Sequence, residues 1–200
     1  MFSLQLCEQV ERLARVLSMT LHYKDRGTHG HCDRVALLAE DFAGYLGFDG
    51  DHRRSIKLAA AFHDLGKIGV PDQIIHKQQR LTADEMAQMR AHPLISERIL
   101  AQIDHPACAA MGRWARSHHE CIDGSGYPDG LAGGQIPVES QLLALVDNYD
   151  AMAERRPYSA PRTHNAILAI MESETGRKHD AGLFARFRTY IDQSPYRQPF

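Results

Sequence analysis

No run of apolar residues in this 200-residue chain approaches the roughly 18 needed to cross a membrane. The first residues, Met1-Phe2-Ser3-Leu4-Gln5, lack the basic stretch and long apolar stretch of a secretory signal. A large excess of positive charge is also missing. The formal net charge is −2, so no global field draws the chain to DNA. Its four cysteines, Cys7, Cys32, Cys108 and Cys121, form no C-x-x-C pair, and neither Cys32 nor Cys121 has a zinc-type partner at the usual spacing. Reduced thiols in a cytoplasmic protein are the expectation. Strand-period alternation, internal repeats and low-complexity tracts are absent too.

What remains is helical periodicity, so the expected fold is all-α. Leu6, Val10, Leu13, Leu17 and Leu21 form an apolar stripe over residues 4–22. It suits packing on the rest of the chain, or a seam for a homodimer or regulatory partner. A second helix from His31 carries Val35, Leu38, Phe42 and Leu46 on one face, and His31 shares that buried face. Asp51 is the expected cap of a third, running through Ile56 to His63. Thr82-Ala83-Asp84-Glu85 reads as a capping box opening a helix with Met86 and Met89 inward. His92-Pro93 interrupts the pattern, helix resumes over Leu94–Ile103, and another spans about Pro106 to His119 with Met111 and Trp114 in the core. Glu139–Met152 and two weaker segments, near 163–173 and 180–192, complete the chain.

The chemistry concentrates at Ala61-Phe62-His63-Asp64-Leu65-Gly66-Lys67. An imidazole and a carboxylate at the end of a buried helix are costly to desolvate unless something bonds to both, and a metal ion does so. His31, His92, the pair His118-His119 and Asp147 offer the rest of a ligand shell. Consecutive histidines reach one centre only near a helix end, which the turn at Asp123-Gly124 supplies. Glycines around Lys67 permit a tight turn that aims its ammonium at a bound phosphodiester. Asp150, three residues beyond Asp147, reads as either an outer-shell group or a surface charge. His22, His29, His52, His76, His105, His164 and His179 lie in polar or terminal stretches and read as surface.

Several motif classes are excluded. Asp123 stands where H-E-x-x-H needs its second histidine. Gly124-x-Gly126-x-x-x-Gly130 misses the dinucleotide spacing, and Ser125 lies in no G-x-S-x-G elbow.

In order along the chain, His63-Asp64, Lys67, His118-His119-Glu120 and Asp123-Gly124-Ser125-Gly126-Tyr127-Pro128 resemble the HD-GYP signature of the HD phosphohydrolase superfamily. Gly30-His31-x-x-Arg34-Val35, Lys67-Ile68-Gly69-Val70-Pro71-Asp72, His92-Pro93, Asp147-x-Tyr149-Asp150-Ala151 and Arg156-Pro157-Tyr158 extend the likeness over about residues 28–190. The resemblance implies an HD-domain helical bundle with a buried metal centre, an N-terminal helix over 1–25 and a catalytic domain over 26–200. It further implies hydrolysis of cyclic di-GMP, or a related cyclic dinucleotide, to pGpG and in some members GMP, by metal-activated hydroxide attack. A silent site serving as a nucleotide-binding module is the rival reading.

Carried over position by position, the implied ligands are His31, His63, Asp64, His92, His118, His119 and Asp147. Asp64 would bridge two divalent ions, iron or manganese. Lys67 would neutralise charge on the phosphoryl oxygens, and Gly126, Tyr127, Pro128 and Arg156 would shape the nucleotide pocket. The chain departs from the pattern at Gly27, where members with a third metal carry glutamate. It departs again at Ser159, where a basic residue is common, and at Cys121-Ile122, where Arg-Trp is common. Two metals are therefore expected rather than three.

Overall fold

The computed structural model describes residues 16, 17, 19–21, 23, 24, 26–153 and 162–197. Most of the 4–22 stripe, the segment holding Arg156 and Ser159, and Cys7 lie outside them. Among the described residues the fold is helical, with two isolated bridges, Asp123 with Ala132 and Thr175 with His179, in place of any sheet. None of the described helices is long and apolar enough to cross a membrane.

Helix α1 spans Arg26–Leu46 and α2 Gly50–Phe62, and a short 3-10 turn follows at Leu65–Gly69. Next come α3 (Asp72–Ile75), α4 (Ala83–Met89), α5 (His92–Leu100) and α6 (Pro106–Arg116). A loop containing a second 3-10 turn, Gly133–Gln135, leads to α7 (Val138–Ala153), α8 (His164–Ser173) and α9 (Ala181–Ile191). Helix α1 packs along α2 and α7, α6 joins α2 to α5, and α8 and α9 close over α7.

The apolar stripe of α1 is the spine of the core. Val35, Leu38 and Phe42 are fully buried, and the Phe42 ring meets Phe187 and Tyr190 of α9 at 5.1 Å each. Leu21 is buried and Leu17 packs at the edge of the same core. Apolar burial of this kind contributes roughly 1.5–3 kcal/mol per large side chain.

Helix ends follow local chemistry. Gly47 takes a left-handed conformation (φ 91°) and stops α1. Thr82 and Glu85 form the expected capping box of α4. The cap of α2 is Asp49, not Asp51: its carboxylate accepts the His52 amide at 2.9 Å, because Asp49 alone has the extended backbone a cap needs. Met86 does not point inward, and Met89 is only half-buried. Helix α4 is short, nothing on it is buried, and Met86 is exposed.

Two histidines read as surface lie in the interior instead. His164 is buried between the Tyr149 hydroxyl (2.8 Å) and Asp192 (2.8 Å), tying α8 to α7 and to the end of α9. His179, in the loop between α8 and α9, is buried too. His52 is half-buried, stacked on Trp114 and bonded to Glu139, and half-buried His105 caps α6. His76 is exposed, as expected.

Candidate metal centre

Three histidines of the site occupy helix boundaries, where backbone groups lack helical partners. His63 caps the C-terminal end of α2, His92 begins α5 immediately after α4, and His118 follows the last turn of α6. Each uses Nδ1 in the same way. His63 Nδ1 donates to the Ala60 carbonyl (2.6 Å), His92 Nδ1 to Met89 (2.7 Å) and His118 Nδ1 to Ala115 (2.6 Å). A carbonyl can only accept, so the proton sits on Nδ1 and the Nε2 lone pair faces the interior.

Those three Nε2 atoms are buried with no hydrogen-bond partner, alongside that of the distant His179. Such atoms are costly to bury unpaired. Here they share their space with two carboxylates. His92 Nε2 lies 3.2 Å from Asp64 Oδ1, while His63 Nε2 lies 3.6 Å from Asp64 Oδ2 and 3.8 Å from Asp147 Oδ1. His31, on α1, places Nε2 2.9 Å from Asp147 Oδ1. Potential ligand atoms cluster within 4.8 Å in three sets: His31 with His63 and Asp64, His63 with His118 and Asp147, and His92 with His118 and His119. All seven residues expected as ligands are members. Carboxylates together with the three Nε2 lone pairs of His63, His92 and His118, none of which meets a donor, fit a divalent cation.

The electrostatics agree. Burial holds the His63 and His118 imidazoles below their usual range, and it lowers His119 to about 3. Burial would push Asp64 up, but Lys67, His63 and His92 outweigh it and keep the carboxyl well below the carboxylate range. Asp147 is lowered against its own burial by His31 and His63. His31 is the exception: burial opposes its charge, yet hydrogen bonds to Asp147 and Asp150 raise it to about 10. Burial drives the Cys32 thiol well above its usual range, so no thiolate competes from that position.

Lys67 arrives as its glycines suggest. The Leu65–Gly69 turn brings Nζ to 2.5 Å from Asp64 Oδ2. Gly66 is required for this path, since a Cβ there would lie 1.9 Å from the His92 carbonyl oxygen. Buried Ser96 fastens the corner, accepting the Gly66 amide (2.8 Å) and donating to the His63 carbonyl (2.8 Å). Nothing in the sequence singled out Ser96.

The loop after the histidine pair folds back over it. Buried Glu120 accepts the Asp129 and Leu131 amides, and the Tyr127 amide donates to the His119 carbonyl at 3.2 Å. Tyr127 stacks on His119 (4.7 Å), and the Arg90 guanidinium lies 5.0 Å from the Tyr127 ring centre. Gly126 rests on the Glu120–Cys121 backbone, where a Cβ would meet the Cys121 nitrogen at 2.3 Å. Glu120 stood in the signature without an assigned role, and Arg90 was not singled out. Their partners come from a loop and from a helix end 37 positions away from Tyr127.

A family model described as HD domain matches residues 15–183. Over 173 residues the chain is 39% identical to the cyclic di-GMP phosphodiesterase response regulator RpfG of Xanthomonas campestris pv. campestris, covering 86% of this chain and 45% of the relative. It is 33% identical over 186 residues to the 3'3'-cGAMP-specific phosphodiesterase 2 of Vibrio cholerae, covering 93% of this chain and 36% of the relative. The chain therefore spans about half the length, or less, of these curated relatives. Among solved structures, a cyclic GMP-AMP specific phosphodiesterase of V. cholerae superposes with a TM-score of 0.69 at 13% identity, covering 96% of this chain and 50% of the other. That likeness concerns the helical fold.

Proposed function

The chain belongs to the HD-domain family, and on that premise we propose that it is a metal-dependent phosphodiesterase of cyclic dinucleotides, with cyclic di-GMP its first substrate. The observation that carries the reading is the convergence of three buried, unpartnered imidazole nitrogens on Asp64 and Asp147. Two divalent ions, iron or manganese, would be held by His31, His63, Asp64, His92, His118, His119 and Asp147. When bound, such ions supply Lewis acidity toward a phosphoryl oxygen and an acidified water.

The chain's own groups do the rest. Asp64 and Lys67 act as a pair. Lys67 stays charged because Asp64 outweighs its burial, and that charge would neutralise a bound phosphodiester's non-bridging oxygens. The stack of Tyr127 on His119 orients that imidazole, and Gly126 and Pro128 shape the wall beside it. Arg156, outside the described residues, would contribute to nucleotide binding. In this reading residues 26–200 form the catalytic unit, in the cytoplasm, and the apolar stripe of the 4–22 sequence, most of it outside the described residues, would serve a homodimer or regulatory partner.

A second substrate, 3'3'-cGAMP, is favoured by the similarity to a phosphodiesterase specific for it. The test is turnover by purified chain loaded anaerobically with Fe2+ or with Mn2+, offered cyclic di-GMP and 3'3'-cGAMP separately. Cyclic di-GMP should be cleaved, and His63→Ala and Asp64→Ala should abolish cleavage while keeping the fold. Binding of nucleotide without turnover under either metal would replace the enzyme with a sensing module.

A further inference from the structure

His31 is held differently from its neighbours. The neighbouring imidazoles of His63, His92 and His118 give Nδ1 to neutral backbone carbonyls, whereas His31 gives Nδ1 to the Asp150 carboxylate at 2.8 Å. Asp150 is itself fixed by a two-pronged contact. Arg34 Nε donates to Oδ1 and a terminal Arg34 nitrogen donates to Oδ2, both at 2.8 Å. Arg34 follows His31 by three residues on α1, and Asp150 follows Asp147 by three on α7. The two crossing helices therefore make paired contacts one turn apart, His31 with Asp147 and then His31 and Arg34 with Asp150. The Asp150 side chain is almost wholly buried, which argues against a surface charge.

We propose that Asp150, clamped by Arg34, is a positioning residue that tightens metal binding selectively in the half of the centre built from His31, His63, Asp64 and Asp147. The proposal rests on the metal-centre reading above. A carboxylate accepting the far N–H of an imidazole fixes the ring and strengthens its other nitrogen as an electron-pair donor. A backbone carbonyl fixes the ring with much less charge behind it. The half built on His92, His118 and His119 has carbonyl support at His92 and His118, so the two halves are electronically unequal.

The experiment is an equilibrium competition for Mn2+ between the chain and a chromophoric chelator. Wild type should take up two ions; failure to take up any would sink the metal-centre reading itself, whatever Asp150 does. His31→Ala and His92→Ala identify which binding step belongs to which half. Asp150→Asn should weaken the His31-dependent step about 10–100-fold and leave the His92-dependent step within twofold. Combined with His31→Ala, Asp150→Asn should add nothing further. Arg34→Lys keeps the charge, loses the fork, and should weaken the same step severalfold without unfolding the chain. Two bound ions with both steps unchanged in Asp150→Asn and Arg34→Lys, or both steps weakened equally, would overturn the inference.

Discussion

At the level of single residues, the site is made by side chains with two jobs. His63, His92 and His118 each satisfy a backbone carbonyl at a helix boundary and, by doing so, commit the opposite nitrogen to the interior. Lys67 likewise neutralises Asp64 while presenting a cation at the centre. If its part is charge stabilisation of the reacting phosphate, Lys67→Met should lower kcat about 10²–10³-fold with metal content unchanged. Metal analysis beside the rate decides this, because loss of metal in step with loss of rate would make Lys67 a structural partner of Asp64 instead. Glu120 offers a second case. Both its oxygens accept backbone amides of the 123–132 loop, and a glutamine can accept with only one. Glu120→Gln should cost about 1–3 kcal/mol, read as a lower midpoint in urea with unchanged slope.

At the level of elements, the tightest joint is the 3-10 turn against α5. Ala at position 66 would drive its Cβ into the His92 carbonyl oxygen (1.9 Å) and the Ser96 nitrogen (2.7 Å), both backbone atoms that cannot swing aside. Gly66→Ala should therefore destabilise by at least about 1–3 kcal/mol and, by displacing His92, weaken metal binding. Gly134→Ala, where a Cβ meets nothing within 4 Å, is the matched control and should change neither. The helices themselves were legible in the sequence, because periodicity and capping are local: α1's buried stripe and the Thr82–Glu85 box both stand as read. Local signals also misled. Two aspartates flank Gly50, and only backbone conformation picks Asp49 as the cap. The methionines of α4 have apolar spacing, yet Met86 is exposed and Met89 only half-buried. The convergence of His31, His63, His92, His118 and His119 was expected from position and motif, whereas Asp150's role was left open and Ser96's was invisible. Their partners stand 119 and 30 positions away, distances that no sequence periodicity spans. His164 and His179 were misread for the same reason, since polar sequence surroundings do not reveal burial under another helix.

At the level of the whole molecule, buried neutral histidines couple stability to pH. Burial, then the nearby Lys178 and Arg177, lower His179 to about 4, against about 6.5 in an unfolded chain. Between those values the unfolded chain binds the proton and the folded chain does not. Stability is therefore complete above about pH 6.5 and declines as pH falls toward 4, by on the order of 3 kcal/mol from this residue. His119, lowered to about 3, has the same sign, whereas His31, raised to about 10, stabilises below pH 6.5 and loses that contribution as pH rises toward 10. In metal-free protein, His179→Gln should flatten the fall of Tm between pH 6.5 and 4, and an unaltered slope would remove His179 from the account. Metal adds a second dependence. Ion bound at 100 times its Kd stabilises by about 2.7 kcal/mol, provided the unfolded chain does not bind it. Protons compete for the same Nε2 lone pairs of His63, His92 and His118 that face the centre. The difference in Tm between Mn2+-loaded and chelator-treated protein should accordingly be large at pH 7.5 and shrink steadily toward pH 5. A difference that held constant across that range would mean the stabilising ion sits somewhere other than among these imidazoles.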